Sequence, residues 1–184
     1  MGKRYREYEK YERAYKQPSY RMGNNRKKAA HAVIKSLGIK GSYLDVGCGR
    51  GEMVEFAKGL GFTPAIGVDV VDYLLNESVL YGEAHNLPFN DNEFDVVTSF
   101  DAFEHFLPED TAECLYELNR VAKRAIILCI ALTPSMNMRD TLHINLRSVK
   151  EWDELINRYI DGKAERLPKT AQSATWVITK EEVK

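Results

Sequence analysis

The sequence predicts a doubly wound α/β fold, and three observations support this prediction. Short apolar segments of strand length alternate with segments whose apolar residues recur at helix spacing. A glycine-rich stretch separates the first strand-like segment from the helix-like segment that follows it. The apolar run over residues 125–132 is continuous, which is typical of a strand covered on both faces. Strands and helices that alternate in this way build a sheet with helices on both sides.

The predicted helices each carry an amphipathic pattern or a terminal signal. Residues 3–16 place three tyrosines at helix-face spacing among glutamates and lysines. A second helix ends at Gly38, and a third follows the glycine-rich stretch directly. A fourth begins near Pro108, and the pair Ser148 and Glu151 predicts a capping box at the start of a fifth.

Strands are predicted where apolar and β-branched residues form short runs between turn residues. These runs cover residues 42–46, 65–71, 79–82, 94–100, 125–132 and 173–180. No internal repeat or low-complexity linker interrupts them. We therefore expect one domain over residues 29–184, capped by a basic, tyrosine-rich segment over residues 1–28.

Composition limits the classes of function that the chain can serve. The net charge of −1 argues against a strong overall field for nucleic acid or anionic membrane. Residues 1–28 carry ten Lys or Arg and three Glu, a net of +7, which leaves −8 for the rest. The cysteines form no C-x-x-C pair, and the charged N-terminus lacks the apolar core of a signal peptide. A cytoplasmic protein with no membrane partner is expected.

The stretch from Tyr43 to Glu52 carries the strongest functional signal in the sequence. An apolar strand leads to Asp45, and glycines follow at alternate positions, ending at Gly51. Glycines at this spacing let a ligand approach the backbone, and the helix behind them offers unpaired N–H groups. A dinucleotide fingerprint would place its third glycine where Glu52 stands, so dinucleotide binding is the weaker alternative.

The string Leu44-Asp-Val-Gly-Cys-Gly-x-Gly51 resembles the first motif of class I S-adenosylmethionine-dependent methyltransferases. The resemblance covers roughly residues 30–180 and implies a Rossmann-like, seven-stranded sheet whose last strand is antiparallel. It implies S-adenosylmethionine as cofactor and S-adenosylhomocysteine as product. In the family, the turn at Gly47, Cys48 and Gly49 cradles the methionine end, and the acid at Asp45 helps hold the ammonium group.

The resemblance also implies the residues that hold the adenosyl end. Asp69 closes the second strand, 22 residues after Gly47, where an acid accepts hydrogen bonds from both ribose hydroxyls. Val70 would offer an apolar edge to adenine. The segment Glu83-Ala84-His85 begins a match to the family's Asp-Ala-x-x-Leu-Pro-Phe motif, with Glu in place of the acid that meets the adenine amino group. Further candidates for cofactor contact are Phe100, at the end of the fourth strand, and Arg21, for the methionine carboxylate.

Asp101, Glu104 and His105 follow the fourth strand at spacings that predict one shared helical face, and His143 follows the fifth strand. We interpret His105, Asp101 and His143 as the catalytic candidates, with a histidine as base or cofactor contact. In one alternative Asp101 and Glu104 form a capping box. In the other, the four side chains bind a divalent ion, as in the small-RNA 3′-terminal 2′-O-methyltransferases whose acid-x-x-Glu-His pattern they resemble. The capping alternative accounts for the spacing, so no metal is expected.

Three functions agree with these residues. The preferred one is methyl transfer to a small hydroxyl- or amine-bearing acceptor that enters between the N-terminal segment and residues 133–147. The second gives the same chemistry a nucleic-acid acceptor, recognised by the basic, tyrosine-rich N-terminus. The third is a protein that binds the cofactor without catalysis, because fold and loop alone do not establish turnover.

Overall fold

A computed structural model describes residues 2–20, 24–135, 142–168 and 172–180. The helices are α1 (Lys3–Tyr15), α2 (Asn24–Ser36), α3 (Glu52–Gly59), α4 (Thr111–Val121) and α5 (Val149–Tyr159). The strands are β1 (Tyr43–Val46), β2 (Ala65–Asp69), β3 (Val79–Tyr81), β4 (Phe94–Phe100), β5 (Ala122–Ala131), β6 (Lys163–Arg166) and β7 (Ser173–Thr179). Single-turn 3-10 helices cover Asp72–Leu74, Phe103–His105 and Pro108–Asp110. Of the helices in these ranges, none has the length and apolarity that a membrane crossing requires.

The seven strands form one sheet in the order β3-β2-β1-β4-β5-β7-β6. The first five are parallel to one another, whereas β7 runs antiparallel to both of its neighbours. The prediction of a seven-stranded sheet with an antiparallel last strand is confirmed. The residue pattern itself did not predict β6, because this edge strand is short and its residues lie largely at the surface.

Two hydrophobic layers cover the sheet, as expected of a doubly wound fold. Successive residues of a strand point to opposite faces, so Val96 contributes to one layer and Val97 to the other. The layer toward α4 and α5 is centred on Trp152 and Leu115, and the layer toward α2 and α3 contains Ile34 and Val54. The predicted capping box is present at the start of α5, where the Ser148 amide donates to Glu151 at 2.8 Å.

The path of the chain through the sheet places the site. From β1 it moves outward through β2 to β3, and it then returns to the other side of β1 as β4. The carboxyl ends of β1 and β4 are therefore neighbours at the point where the winding reverses. Open α/β sheets bind their ligands in the crevice outside such a switch point.

Candidate active site

The glycine loop after β1 adopts a conformation that side chains rarely allow. Gly47, Gly49 and Gly51 have φ values of +73°, +53° and +72°. A Cβ on Gly47 would lie 2.7 Å from the Cβ of Ala102, and one on Gly49 would collide with the Tyr15 ring. The loop is tied to β2 through the amides of Gly47 and Cys48, which both donate to one carbonyl at 2.9 and 3.0 Å. These glycines keep the backbone accessible at the carboxyl end of β1.

Asp45 lies in β1, just before this loop, and is buried. Its Oδ1 accepts a hydrogen bond from the Thr98 hydroxyl at 2.7 Å. Burial raises the pKa of Asp45 to about 7, the Thr98 hydrogen bond opposes that rise, and the nearby charge of Asp69 adds to it. A cation that binds beside this carboxylate would therefore stabilise its ionised form.

Asp69 ends β2 and braces the glycine loop from the neighbouring strand. Its Oδ2 accepts from the Gly49 amide at 2.8 Å, and its Oδ1 accepts from the Val71 amide at 3.1 Å. The side chain is buried, and burial raises its pKa although these backbone hydrogen bonds oppose the rise. Because each carboxylate oxygen has further acceptor capacity, a pair of hydroxyl groups can bind in addition to the two amides.

Helix α1 packs over the open end of the sheet through hydrogen bonds and ion pairs. The Tyr11 hydroxyl lies 3.3 Å from the carbonyls of His105 and Leu142. Arg4 forms a bidentate pair with Asp110 at 2.7 and 2.8 Å. These contacts place the tyrosine face of α1 above the loops that follow β1 and β4.

A crevice with a free volume of about 100 Å³ lies between α1 and the carboxyl ends of the strands. Of the sequence-predicted residues, it brings together Gly47, Asp69, Val70, Ala84, His85, Asp101 and His105. Three tyrosines absent from the prediction also line it, namely Tyr8, Tyr11 and Tyr20.

A smaller pocket shares Gly47 with the crevice and continues it toward α3. It contains four predicted residues, Asp45, Gly47, Cys48 and Phe100, together with Tyr15 and Arg50. The Arg50 guanidinium donates to the Tyr15 carbonyl at 2.6 Å and lies 5.7 Å from its ring centre. Gly47 thus lines both the crevice and this pocket.

One predicted contact, Glu83, has a different position, and another, Arg21, cannot be placed. The Glu83 carboxylate accepts from the Tyr81 hydroxyl at 2.8 Å and lies 3.1 Å from Nε2 of His85, and Glu83 is not among the residues that line the crevice in the described part of the chain. Arg21 lies outside the described residues, as does the neighbouring Met22.

The prediction that Asp101, Glu104 and His105 share one face of a helix after β4 is wrong. Asp101 has a φ of +52°, and only the single 3-10 turn Phe103–His105 follows it. Asp101 therefore caps no helix; it forms an ion pair with Arg26 of α2 at 2.7 Å. Glu104 does not complete a capping box, because its side chain is fully buried. The spacing rule fails here since i, i+3 and i+4 share a face only in an α-helix.

Glu104, His105 and His143 nevertheless come together. One carboxylate oxygen and one nitrogen of each ring lie within 4.8 Å of one another. Nδ1 of His105 bonds to the Leu142 carbonyl at 3.1 Å, and Nδ1 of His143 bonds to the Thr133 carbonyl at 2.6 Å. Burial lowers the pKa of His105 to about 4, and burial together with the charge of Asp101 raises that of Glu104 to about 8.

A family model described as a methyltransferase domain matches residues 44–130. Over these residues the chain is similar to that domain. The matched residues run from β1 to β5 and include the glycine loop, Asp69 and the turn that carries Glu104 and His105.

Curated relatives of the chain include demethylmenaquinone methyltransferases of two species. That of Staphylococcus saprophyticus is 35% identical over 114 residues, which cover 53% of this chain and 48% of the relative. That of Staphylococcus aureus strain MRSA252 is 31% identical, with coverage of 53% and 46%. The chain thus spans about half the length of the curated relatives it matches.

Solved structures share the methyltransferase fold at low identity. The PH0226 protein from Pyrococcus horikoshii has a TM-score of 0.74 at 19% identity and covers 91% of this chain and 93% of its own. Phosphoethanolamine N-methyltransferase 2 from Haemonchus contortus, solved with S-adenosylmethionine, has a TM-score of 0.63 at 16% identity, with coverage of 82% and 52%. Likenesses at such identities establish the fold alone.

Sequence reasoning missed the residues that α1 and α2 add to the candidate site. The spacing of Tyr8, Tyr11 and Tyr15 marks one face of a helix, yet nothing local indicates which surface that face covers. Arg26 gives no signal at all, because its pairing with Asp101 joins residues far apart in sequence.

Proposed function

We propose that the protein transfers a methyl group from S-adenosylmethionine to a small hydroxyl- or amine-bearing acceptor. The observation that carries the proposal is the glycine loop at the switch point of the sheet, with the buried carboxylates of Asp45 and Asp69 beside it. Asp45 lines the smaller pocket, which would hold the methionine end, and Asp69 lines the crevice, where the ribose would bind.

Each part of the cofactor has residues that suit it chemically. The Asp69 carboxylate accepts hydrogen bonds from the two ribose hydroxyls, and the Asp45 carboxylate attracts the ammonium group. Val70, Ala84 and His85 line the part of the crevice proposed for adenine. When bound, the cofactor supplies a methyl group that is already activated on a sulfonium.

The residues of the chain then have to align the acceptor and exclude water. Tyr8, Tyr11 and Tyr20 cover the crevice from the side of α1, which reduces the access of solvent. His105 lines the same crevice with Nδ1 bound to a carbonyl. Its Nε2 is therefore the nitrogen available to a hydroxyl or amine of the acceptor.

A small acceptor is favoured over a nucleic acid. The basic N-terminal side chains that would meet phosphates are in part already paired, since Lys3, Arg4 and Lys10 bind carboxylates at 2.6–2.8 Å. The curated relatives, which include demethylmenaquinone methyltransferases, support a small molecule as well.

Isothermal titration tests the cofactor directly. We expect S-adenosylmethionine to bind at least about 100-fold more tightly than NAD, because Glu52 stands where a dinucleotide site needs glycine and would repel a pyrophosphate. S-adenosylhomocysteine should compete for the same site. Failure of the folded protein to bind either adenosyl compound would contradict the proposed function.

The affinity for S-adenosylmethionine is also expected to depend on pH through Asp45. Its carboxyl has a pKa raised to about 7, and the cofactor's ammonium group binds the ionised form. Protonation therefore competes with binding below pH 7, and affinity should fall by up to about tenfold per pH unit as the pH decreases. Titrations between pH 5.5 and 7.5 measure this slope. The Asp45→Asn variant serves as control, since its weaker affinity should be nearly independent of pH in that range.

A further inference from the structure

The cluster of Glu104, His105 and His143 contains three electron-pair donors that converge from two separate segments. Glu104 and His105 belong to the 3-10 turn after β4, and His143 belongs to the segment that follows β5. Their donor atoms lie within 4.8 Å of one another, and the two imidazole centres are 4.8 Å apart at an interplanar angle of 75°. The cluster adjoins the crevice, which His105 lines.

The Glu104 carboxylate is the unexplained group in this cluster. Its side chain is fully buried, and neither of its oxygens has a hydrogen-bond partner among the described residues. The Arg26 guanidinium pairs with Asp101 at 2.7 Å instead of with Glu104. A buried carboxylate without a partner is costly, and a bound cation would offset that cost.

The two histidines add acceptors to the cluster. Each ring has Nδ1 in hydrogen-bond contact with a backbone carbonyl, that of Leu142 for His105 and that of Thr133 for His143. A carbonyl only accepts, so each Nδ1 carries the proton and each Nε2 keeps its lone pair. In most histidines that bind metals, the ring nitrogen that does not bind the metal donates a hydrogen bond of this kind, which orients the ring.

Backbone hydrogen bonds hold the two segments in register. The Glu104 carbonyl accepts from the amides of Ile144 and Asn145 at 2.9 and 3.0 Å. The Asn145 side chain donates in return to the Phe103 carbonyl at 3.0 Å. The side chains of Glu104 and His143 are therefore positioned by bonds close to them in the chain, which favours a preformed site.

We propose that Glu104, His105 and His143 bind one divalent transition-metal ion at the edge of the crevice. Two imidazoles and one carboxylate are a ligand set that suits zinc, manganese, iron or cobalt, whereas magnesium and calcium prefer oxygen ligands. Three protein ligands leave coordination positions open for a molecule in the crevice.

The consequence for the acceptor rests on the proposed function. A metal ion at this place binds an oxygen of the acceptor and lowers the pKa of its hydroxyl, so the proton leaves to solvent. The oxygen then forms the new bond to the methyl carbon, and the electron pair of the broken carbon–sulfur bond stays on sulfur. The products are a methyl ether, S-adenosylhomocysteine and one proton. The site thus assigns a hydroxyl group, rather than an amine, as the acceptor.

Cobalt titration of the chelator-treated full-length protein tests the metal site without any acceptor. We expect one Co²⁺ per chain, with visible ligand-field absorption, and competition by Zn²⁺. Glu104→Gln keeps the size of the side chain, and His143→Ala removes a partly exposed ring. Each variant should weaken Co²⁺ binding by at least about 100-fold, because loss of a ligand exceeds the effect of losing a supporting contact. His31→Ala, whose ring stacks on Phe56 of α3, is the matched control and should bind as the unchanged protein does.

Titration of S-adenosylmethionine on the same samples separates this inference from the proposed function. Binding of the cofactor together with no stoichiometric Co²⁺, or with Co²⁺ affinity unchanged in both variants, overturns the metal site alone. Absence of cofactor binding overturns the proposed function and leaves the metal measurement valid. Thermal melting of each variant establishes that it is folded, and His143→Ala provides the test should Glu104→Gln fail to fold.

Discussion

Replacing Asp69 by alanine is expected to weaken the binding of S-adenosylmethionine by about 100-fold. Under the proposed function its carboxylate accepts a charge-assisted hydrogen bond from each ribose hydroxyl. Two such bonds contribute about 3 kcal/mol together, which corresponds to roughly two orders of magnitude in affinity. The change also removes the acceptor for the Gly49 amide, so the glycine loop loses a brace. Isothermal titration of the purified variant measures the effect.

Two further variants separate direct contact from loop support. Asp69→Asn keeps one oxygen that can accept from the Gly49 amide but removes the negative charge, and we expect an intermediate loss of about tenfold. Asp91→Ala removes an exposed carboxylate in the turn before β4, at the opposite end of the sheet, and should leave affinity unchanged. Equal affinity for the cofactor in Asp69→Ala and in the unchanged protein would place the adenosyl group elsewhere.

The half of the site proposed for the cofactor was predictable because its signals are local. Positive φ at Gly47, Gly49 and Gly51 follows from a tight turn between a strand and a helix, and only glycine adopts it without strain. The position of Asp69 follows from the fold, since parallel neighbours end at the same edge of the sheet. In each case a few adjacent residues determine the structure, and the sheet brings them together.

The half proposed for the acceptor was not predictable, because long-range contacts decide its structure. The pattern from Asp101 to His105 has helical spacing, yet hydrogen bonds from Ile144 and Asn145 hold this turn against a distant segment. Asp101 takes a left-handed conformation and pairs with Arg26 of α2. No periodicity in the sequence encodes these partners.

The predicted strand boundaries are correct where the local residue pattern is clear and wrong where it is not. The bounds predicted for β4 agree with the structure, because Phe94–Phe100 forms one buried run. In contrast, β5 begins three residues before its predicted start of 125, since the residue after α4 enters the sheet directly. That extension includes Lys123 and Arg124, whose polarity obscures the pattern.

Replacing His105 by alanine is expected to reduce turnover by at least about 100-fold while S-adenosylmethionine affinity changes by less than about threefold. Its ring lines the crevice from the turn after β4, whereas the carboxylates proposed to hold the cofactor, Asp45 and Asp69, belong to β1 and β2. Its Nε2 meets the acceptor, either directly or through the proposed metal ion, so the loss should fall on the chemical step. Separate measurement of kcat, of KM for the acceptor and of cofactor affinity makes the distinction.

Two isosteric variants identify which nitrogen of His105 matters. Asparagine places its amide near the position of Nδ1 and can keep the hydrogen bond to the Leu142 carbonyl, but it has no group at the position of Nε2. Glutamine places its amide near the position of Nε2 but lacks the hydrogen bond to the Leu142 carbonyl. If Nε2 serves the acceptor, His105→Asn should be as slow as His105→Ala, and His105→Gln should recover part of the rate. A rate restored by asparagine, or an equal loss of cofactor affinity in all three variants, would give this ring a structural role in holding α1 and residue 142 in place.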